Sequence, residues 1–403
     1  MAYKNVPRLR FREFSGEWKY ERLSKNISLL NGLTYSPKDV NSVGTFVIRS
    51  SNVKDNSLID NDNVYVNSQV VNSEHVKQGD IVVVVRNGSR ALIGKHAIVN
   101  KNMSNTVIGA FMTLIRTKNG RFYNALLSTD LFKKEIYKSL GATINQITKK
   151  DFGLMDFFFP NSDEQQKIGS FFAKQDKLIE LQTQKVDQLK KLKRGYLQKM
   201  FPQEGETVPR LRFSGFSWDW KEVTLNDIGK IVTGNTPTKK DKNNYGGSYV
   251  WITPSDINEE STYLYDSKTK LTKKGKELSR VIPKNSLMVT CIASIGKNAL
   301  SGKEVSINQQ INAVIPYDIY NSYFLLGLSS EWSNKMKKKT SNSSLKIINR
   351  SEFSRLKTLV PSLDEQKIIG DFFAKLDKLI EEQSNKLDQL KQQKKAYLQK
   401  MFV

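Results

Sequence analysis

The sequence is short of the residues that build redox and metal sites. It has one cysteine, Cys291, and two histidines, His75 and His96, in 403 residues. A single thiol excludes an intrachain disulfide and fits a reducing compartment. Those three side chains, scattered along the chain, do not form a metal-ligand set. Long apolar runs are also missing. The longest aliphatic stretch is IVVVV at 81–85, which is strand length and far below the ~20 residues that span a bilayer. The opening MAYKNVPRLRF lacks the apolar core of a signal peptide, so a cytoplasmic protein with no membrane partner is expected. Acidic residues are scarce relative to basic ones: 40 Asp and Glu against 64 Lys and Arg give a net charge of +24. A surplus of that size points to a polyanionic partner.

Catalytic motifs are absent too. GSRALIGKH (Gly88–His96) has five residues between its glycines and His after Lys, so it fails the phosphate-loop pattern. No Asp/Asn-Pro-Pro-Tyr/Phe motif of an amino-methyltransferase occurs. Glu365-Gln366-Lys367 could imitate a nuclease carboxylate–lysine pair, but helix capping is the simpler explanation. The chain is expected to be non-catalytic.

What the sequence does contain is a repeat. DEQQKIGSFFAKQDKLIELQTQKVDQLKKLKRGYLQKMF (Asp163–Phe201) recurs without a gap as DEQKIIGDFFAKLDKLIEEQSNKLDQLKQQKKAYLQKMF (Asp364–Phe402). VPRLRF occurs at Val6–Phe11 and at Val208–Phe213, followed at the same offset by Trp18/Trp220 and Leu23/Leu225. The order is module, helix, module, helix, with expected bounds 1–160, 161–203, 204–360 and 361–403. Each repeated segment follows a proline, and Ser162-x-x-Gln165 or Ser362-x-x-Glu365 fits a capping box. Apolar residues then recur at spacings of three and four: Ile168, Phe172, Ile179, Leu189 and Tyr196, matched by Ile369, Phe373, Ile380, Leu390 and Tyr397. That stripe predicts a coiled coil and a surface for partner docking. Polar breaks at Gln182/Gln383 and Lys193/Lys394 suggest a fixed register. Connectivity makes the two helices antiparallel if they pair, giving a pseudo-two-fold dumbbell. A 39-residue helix is about 58 Å long, so the repeat can act as a ruler. Four residues inserted near Gln203–Glu206 are then expected to lengthen the distance it measures.

Short aliphatic strands between Asn, Gly and Ser turns predict irregular β-rich α/β modules, with helices near Asn124–Ser139 and Ser322–Lys339. The fold class is thus α/β, two β-rich domains separated by two long helices. Charge is concentrated on the modules: +10 for residues 1–160 and +9 for 204–360, against +4 and +1 for the helical segments. Loops mixing cations with amides and hydroxyls suit DNA, because Arg forks to guanine and Asn or Gln to adenine, while the others hold phosphates. Candidate contacts in module one are Lys38, Arg49, Arg86, Ser89, Arg90, Lys95, Asn105, Thr143, Asn145 and Gln146. In module two they are Thr236, Lys239, Lys240, Ser255, Ser294, Lys297, Asn308, Gln309, Gln310, Asn342, Ser343 and Lys346.

Two variable basic modules alternating with near-identical helices resemble the specificity subunit of a type I restriction–modification system. The resemblance covers essentially the whole chain and rests on Glu-Gln-x-x-Ile after a proline (Glu164, Gln165, Ile168; Glu365, Gln366, Ile369), YLQKMF, VPRLRF and NQQIN. Module one departs from the pattern with SNTVIGA (Ser104–Ala110) where module two has INQQINA. The resemblance implies that each module is a target-recognition domain reading one half of a bipartite, asymmetric site on double-stranded DNA. The helices would set the unread spacer and dock two methyltransferase (modification) subunits. S-adenosylmethionine would belong to those partners, and ATP and Mg to separate restriction/translocase subunits. A stand-alone two-domain DNA-binding regulator and a coiled-coil scaffold with incidental basic surfaces are the alternatives.

Overall fold

Ile81–Val84 and Leu287–Thr290 are buried at every position. Strands without polar alternation must be covered on both faces, and each is an inner strand of its module's main sheet. The computed structural model describes residues 5–140, 145–258, 262–341 and 346–403. The chain divides into two units, Met1–Thr183 with Asn385–Val403, and Gln184–Ser384. Thr143, Asn342 and Ser343 lie outside the described residues.

In the first unit the main sheet has the order Ser28–Asn31, Met112–Arg116, Ile81–Val84, His96–Ile98, all antiparallel. A second four-stranded sheet pairs Thr106–Ile108 in parallel with Thr45–Ile48. In the second unit the sequence differs but the plan recurs. Gly229–Thr233, Ile311–Pro316, Leu287–Thr290 and Asn298–Ser301 run in the same order, extended by Tyr263–Leu264. Trp251 and Ile252 again pair in parallel with Ser306 and Ile307. A short ribbon, Lys19–Arg22 with Asp156–Phe159 and Lys221–Thr224 with Lys357–Val360, ties each module's entry to its exit.

Two long helices, Ser162–Lys199 and Leu363–Met401, leave these exit strands. Ser322–Thr340 is one helix, but the stretch expected as Asn124–Ser139 is two, Gly120–Leu127 and Asp130–Ser139. Thr129 interrupts it, because its hydroxyl caps the second helix by accepting from Phe132 N–H at 3.2 Å.

The helices are antiparallel within each unit. In the first, Phe171 meets Tyr397 edge-on at 5.1 Å, and further along Asp176 pairs with Lys394. In the second, Tyr196 meets Phe372 at 5.0 Å and Lys193 reaches Asp377 at 2.6 Å. The lysines that interrupt the apolar stripe are therefore register pins with acidic partners. The stripe itself needs a correction. Ile168 and Phe172, and likewise Ile369 and Phe373, are sunk in the module cores and are not coiled-coil surface. Ile179, Leu189, Tyr196, Ile380, Leu390 and Tyr397 remain half-buried along the helices.

The second helix is capped by Ser362 as expected, but the first is capped by Asn161 and not by Ser162. Asn161 Oδ1 accepts from Glu164 N–H at 2.9 Å, and Ser362 Oγ accepts from Glu365 N–H at 3.4 Å. The carboxylates themselves bind arginines of VPRLRF. Arg10 donates to both oxygens of Glu164 at 2.7 Å, and Arg212 to those of Glu365 at 2.7 and 2.8 Å. Each guanidinium is held firmly protonated, chiefly by that hydrogen-bonded carboxylate. Beside them, Leu9 N–H donates to Lys400 O and Leu211 N–H to Lys199 O, capping the last turn of a long helix in each unit. The closing phenylalanine of YLQKMF completes the joint. Phe402 packs against Trp18, Phe122 and Phe172, and Phe201 against Trp220, Phe324 and Phe373. Module two is thus fastened to its helix end on both sides of Gln203–Glu206. An insertion there meets a closed joint on either side, so it is expected to bulge without moving the module.

Candidate nucleic-acid interface

Hydrogen bonds at the ends of the sheet strands align the modules residue by residue. Gly109 N–H donates to Ile48 O and Asn308 N–H to Ile252 O, both at 2.9 Å. Met112 N–H reaches Gly109 O as Ile311 N–H reaches Asn308 O. Asn308-Gln309-Gln310 therefore corresponds to Gly109-Ala110-Phe111. The sequence match that set Ser104–Ala110 against 307–313 is out of register, because Thr106–Ile108 forms the strand that Val305–Ile307 forms in module two. The turn packs closely on the preceding Gly loop. A Cβ on Gly32 would lie 2.0 Å from Gly109 O, and one on Gly234 would lie 2.2 Å from Asn308 O.

Three further elements meet this turn. The strand end after Ile81–Val84 carries Arg86, and Val85 and Arg86 N–H donate to Phe111 O at 3.0 and 3.2 Å. In module two Cys291 N–H donates to Gln310 O at 2.8 Å. Arg86 bridges Gln146, and at the same place Ile292 bridges Ile347. Lys95 Nζ approaches Ser50 O at 3.4 Å, and Lys297 Nζ approaches Pro254 O at 3.5 Å. Asn87 Nδ2 donates to Ser50 Oγ at 3.2 Å, and Asn145 Nδ2 to Gly88 O at 3.0 Å. Arg86, Lys95, Asn145 and Gln146 thus gather in module one, as Lys297, Gln309, Gln310 and Lys346 do in module two. Lys346 joins through its carbonyl, which accepts from Ala293 N–H at 3.0 Å.

Other candidates stand differently. Arg49 is engaged by Asp62 at 2.6 Å. Ser89 and Arg90 follow Gly88, with the Arg90 guanidinium 5.9 Å from the Tyr137 ring centre. Lys38 lies on the turn Pro37–Asp39 and is exposed; the Asp39 carboxyl beside it is held below its usual range by hydrogen bonds from Ser36 N–H and hydroxyl. Lys239 and Lys240 are exposed, and Thr236 bonds Asn308. Ser255 shares a 2.8 Å hydrogen bond with Thr253, and Ser294 O accepts from the Thr290 hydroxyl. Two candidates have structural work instead. Asn105, at φ 51°, accepts from Thr45 Oγ1 at 2.7 Å and donates to Gly44 O at 3.1 Å. Asn308 is buried, accepting from Gln310 N–H and donating to Thr236 Oγ1, both at 2.9 Å. Their amides are committed to turns.

Sequence reasoning missed Phe111, whose ring is 53% exposed beside Arg86, and Ile347, 44% exposed. Cys291 is buried behind the cluster, and burial pushes its thiol up to about 12, which suits a packed thiol and not a nucleophile. No group of three or more potential metal ligands occurs among the described residues, and no helix there is long and apolar enough to cross a membrane.

Known proteins share this organisation. The type I restriction modification DNA specificity domain matches residues 16–191 and again 218–392. The MjaIX type I restriction enzyme specificity subunit of Methanocaldococcus jannaschii is 32% identical over 168 residues, 40% of this chain and 39% of that one. The HindI counterpart of Haemophilus influenzae is 29% identical over 172 residues, 40% of this chain and 37% of that one. This chain therefore spans under half the length of either relative. The crystal structure of a type I restriction–modification S subunit from M. genitalium superimposes with a TM-score of 0.65 over 99% of both chains at 15% identity, a likeness of fold. With most of each module and most of each long helix inside the two matched stretches, the chain belongs to the type I restriction modification DNA specificity domain family.

Proposed function

We propose that this chain is the DNA sequence-recognition subunit of a type I restriction–modification complex. Each module reads one half of a bipartite, asymmetric site on double-stranded DNA. The paired helices fix the spacer between the halves and carry the surface on which two modification subunits dock. The chain itself is non-catalytic. Methyl transfer from S-adenosylmethionine belongs to the modification subunits, and ATP- and Mg-dependent cleavage to the restriction subunits.

One observation carries this reading: a single scaffold occurs twice, joined to its helices by the same contacts, with different chemistry on the same loops. Identical partners require the helices and joints to repeat, whereas two different half-sites require the loops to differ. The basic surplus on the modules supplies the sequence-independent attraction to phosphate. Methylation mapping of DNA from cells carrying this chain with its modification subunits tests the proposal. It should return one bipartite motif with a fixed gap. A single continuous motif, or methylation without sequence preference, would contradict it.

A further inference from the structure

The two modules exchange chemistry between two equivalent positions. At the strand end, module one has Arg86 where module two has Ile292. In the adjoining turn, module one has Phe111 where module two has Gln310, preceded by Gln309. One module thus offers a cation over an aromatic ring, and the other offers amides beside aliphatic side chains.

Arg86 is exposed, and its guanidinium lies 4.9 Å from the centre of the Phe111 ring. No carboxylate among the described residues pairs with it, whereas neighbouring Arg49 is held by Asp62. A guanidinium supported by a ring and fixed by the backbone bonds to Phe111 loses little freedom on forming a second contact. Its planar fork matches the O6 and N7 atoms of guanine. Ile292 cannot make that contact. In module two the exposed donor and acceptor is Gln309, whose side-chain amide has no hydrogen-bond partner among the described residues. A glutamine amide matches N6 and N7 of adenine.

We infer that Arg86, backed by Phe111, reads a G·C pair in the half-site of module one, and that Gln309 reads an A·T pair in the half-site of module two. This rests on the proposed function and deepens it by assigning base chemistry to each half.

The test uses the complex assembled with its modification subunits, after methylation mapping has defined the wild-type motif. Competition binding against every single-base change in both halves is then measured for Arg86→Ala, Arg86→Lys, Phe111→Ala and Gln309→Ala. Arg86→Ala should lose roughly 5- to 150-fold discrimination at one G·C position of the first half and leave the second half intact. Arg86→Lys should not restore it, because an ammonium has no fork. Phe111→Ala should blunt preference at the same position, and Gln309→Ala should relax one A·T position of the second half. All three side chains are exposed, and unchanged thermal melting checks that the modules stay folded. The inference is overturned if Arg86→Ala keeps full discrimination. It is equally overturned if all sequences weaken together and the salt slope falls by about one, the signature of a phosphate contact. A wild-type complex without a bipartite motif would bring down the proposed function, and this inference with it.

Discussion

Removing Arg10 should cost far more than its place near the surface suggests. Its carboxylate partner Glu164 is 0% exposed, and the guanidinium also donates to the carbonyls of Ser15 and Gly16 at 3.1 and 2.5 Å. Arg10→Ala would leave a fully buried carboxylate without its cation, a change worth about 3–5 kcal/mol. For a unit of this size that corresponds to a fall of roughly 6–20 °C in Tm. Glu164→Gln removes the charge but keeps an acceptor for the guanidinium, so it should cost less. Arg212→Ala should act in the same way on the second unit, where Glu365 is 1% exposed. Calorimetry of the full chain decides the matter. A loss below about 1 kcal/mol, the range of surface pairs, would refute the reasoning. So would equal losses for Arg10→Ala and Glu164→Gln.

Phe402→Ala empties the aromatic box of the first unit and should cost about 3–5 kcal/mol in denaturant unfolding; Phe201→Ala should do the same to the second unit, and a loss under about 1 kcal/mol in either would contradict the clamp. Burial lowers the His96 pKa to about 4, with the ring between Gly94 O and Ser128 Oγ. Because the folded value lies below the unfolded one of about 6.5, the first unit should lose stability as pH falls from 6.5 towards 4. The second unit contains no histidine, and the slope should vanish in His96→Asn; a slope that survives that substitution would exclude His96 as its source. Four residues inserted within Gln203–Glu206 should leave the gap of the methylated motif unchanged, because the joint at Phe201 and Arg212 holds on both sides; a gap longer by one or more base pairs would show that this turn sets the spacing.

The strands and long helices were legible because their signals are local. IVVVV has strand length and composition, and the helices have period, caps and no interrupting proline. The joints were not legible, because each needs two segments to meet. Arg10 and Glu164 are separated by 154 positions, and capping alone accounts for a glutamate in a first turn. Repetition of both motifs at nearly one offset was the available clue. The same limit applies at the interface. Arg86, Lys95 and the amide-rich loops could be found from composition, but the sequence could not show that Asn105 and Asn308 spend their amides on turns. Nor could it show that Phe111 stands where module two has Gln310. That correspondence depends on hydrogen-bond register, and the two turns share no letters.

Independent reading by two modules on common helices is tested most directly by exchange. Residues 1–160 are replaced with the first module of another family member whose target is known, keeping the arginine and tryptophan of the entry segment, and the methylated sites are mapped. One half of the motif should become that of the donor, while the other half and the gap stay as they were. A change in both halves, or in neither, would contradict independent reading.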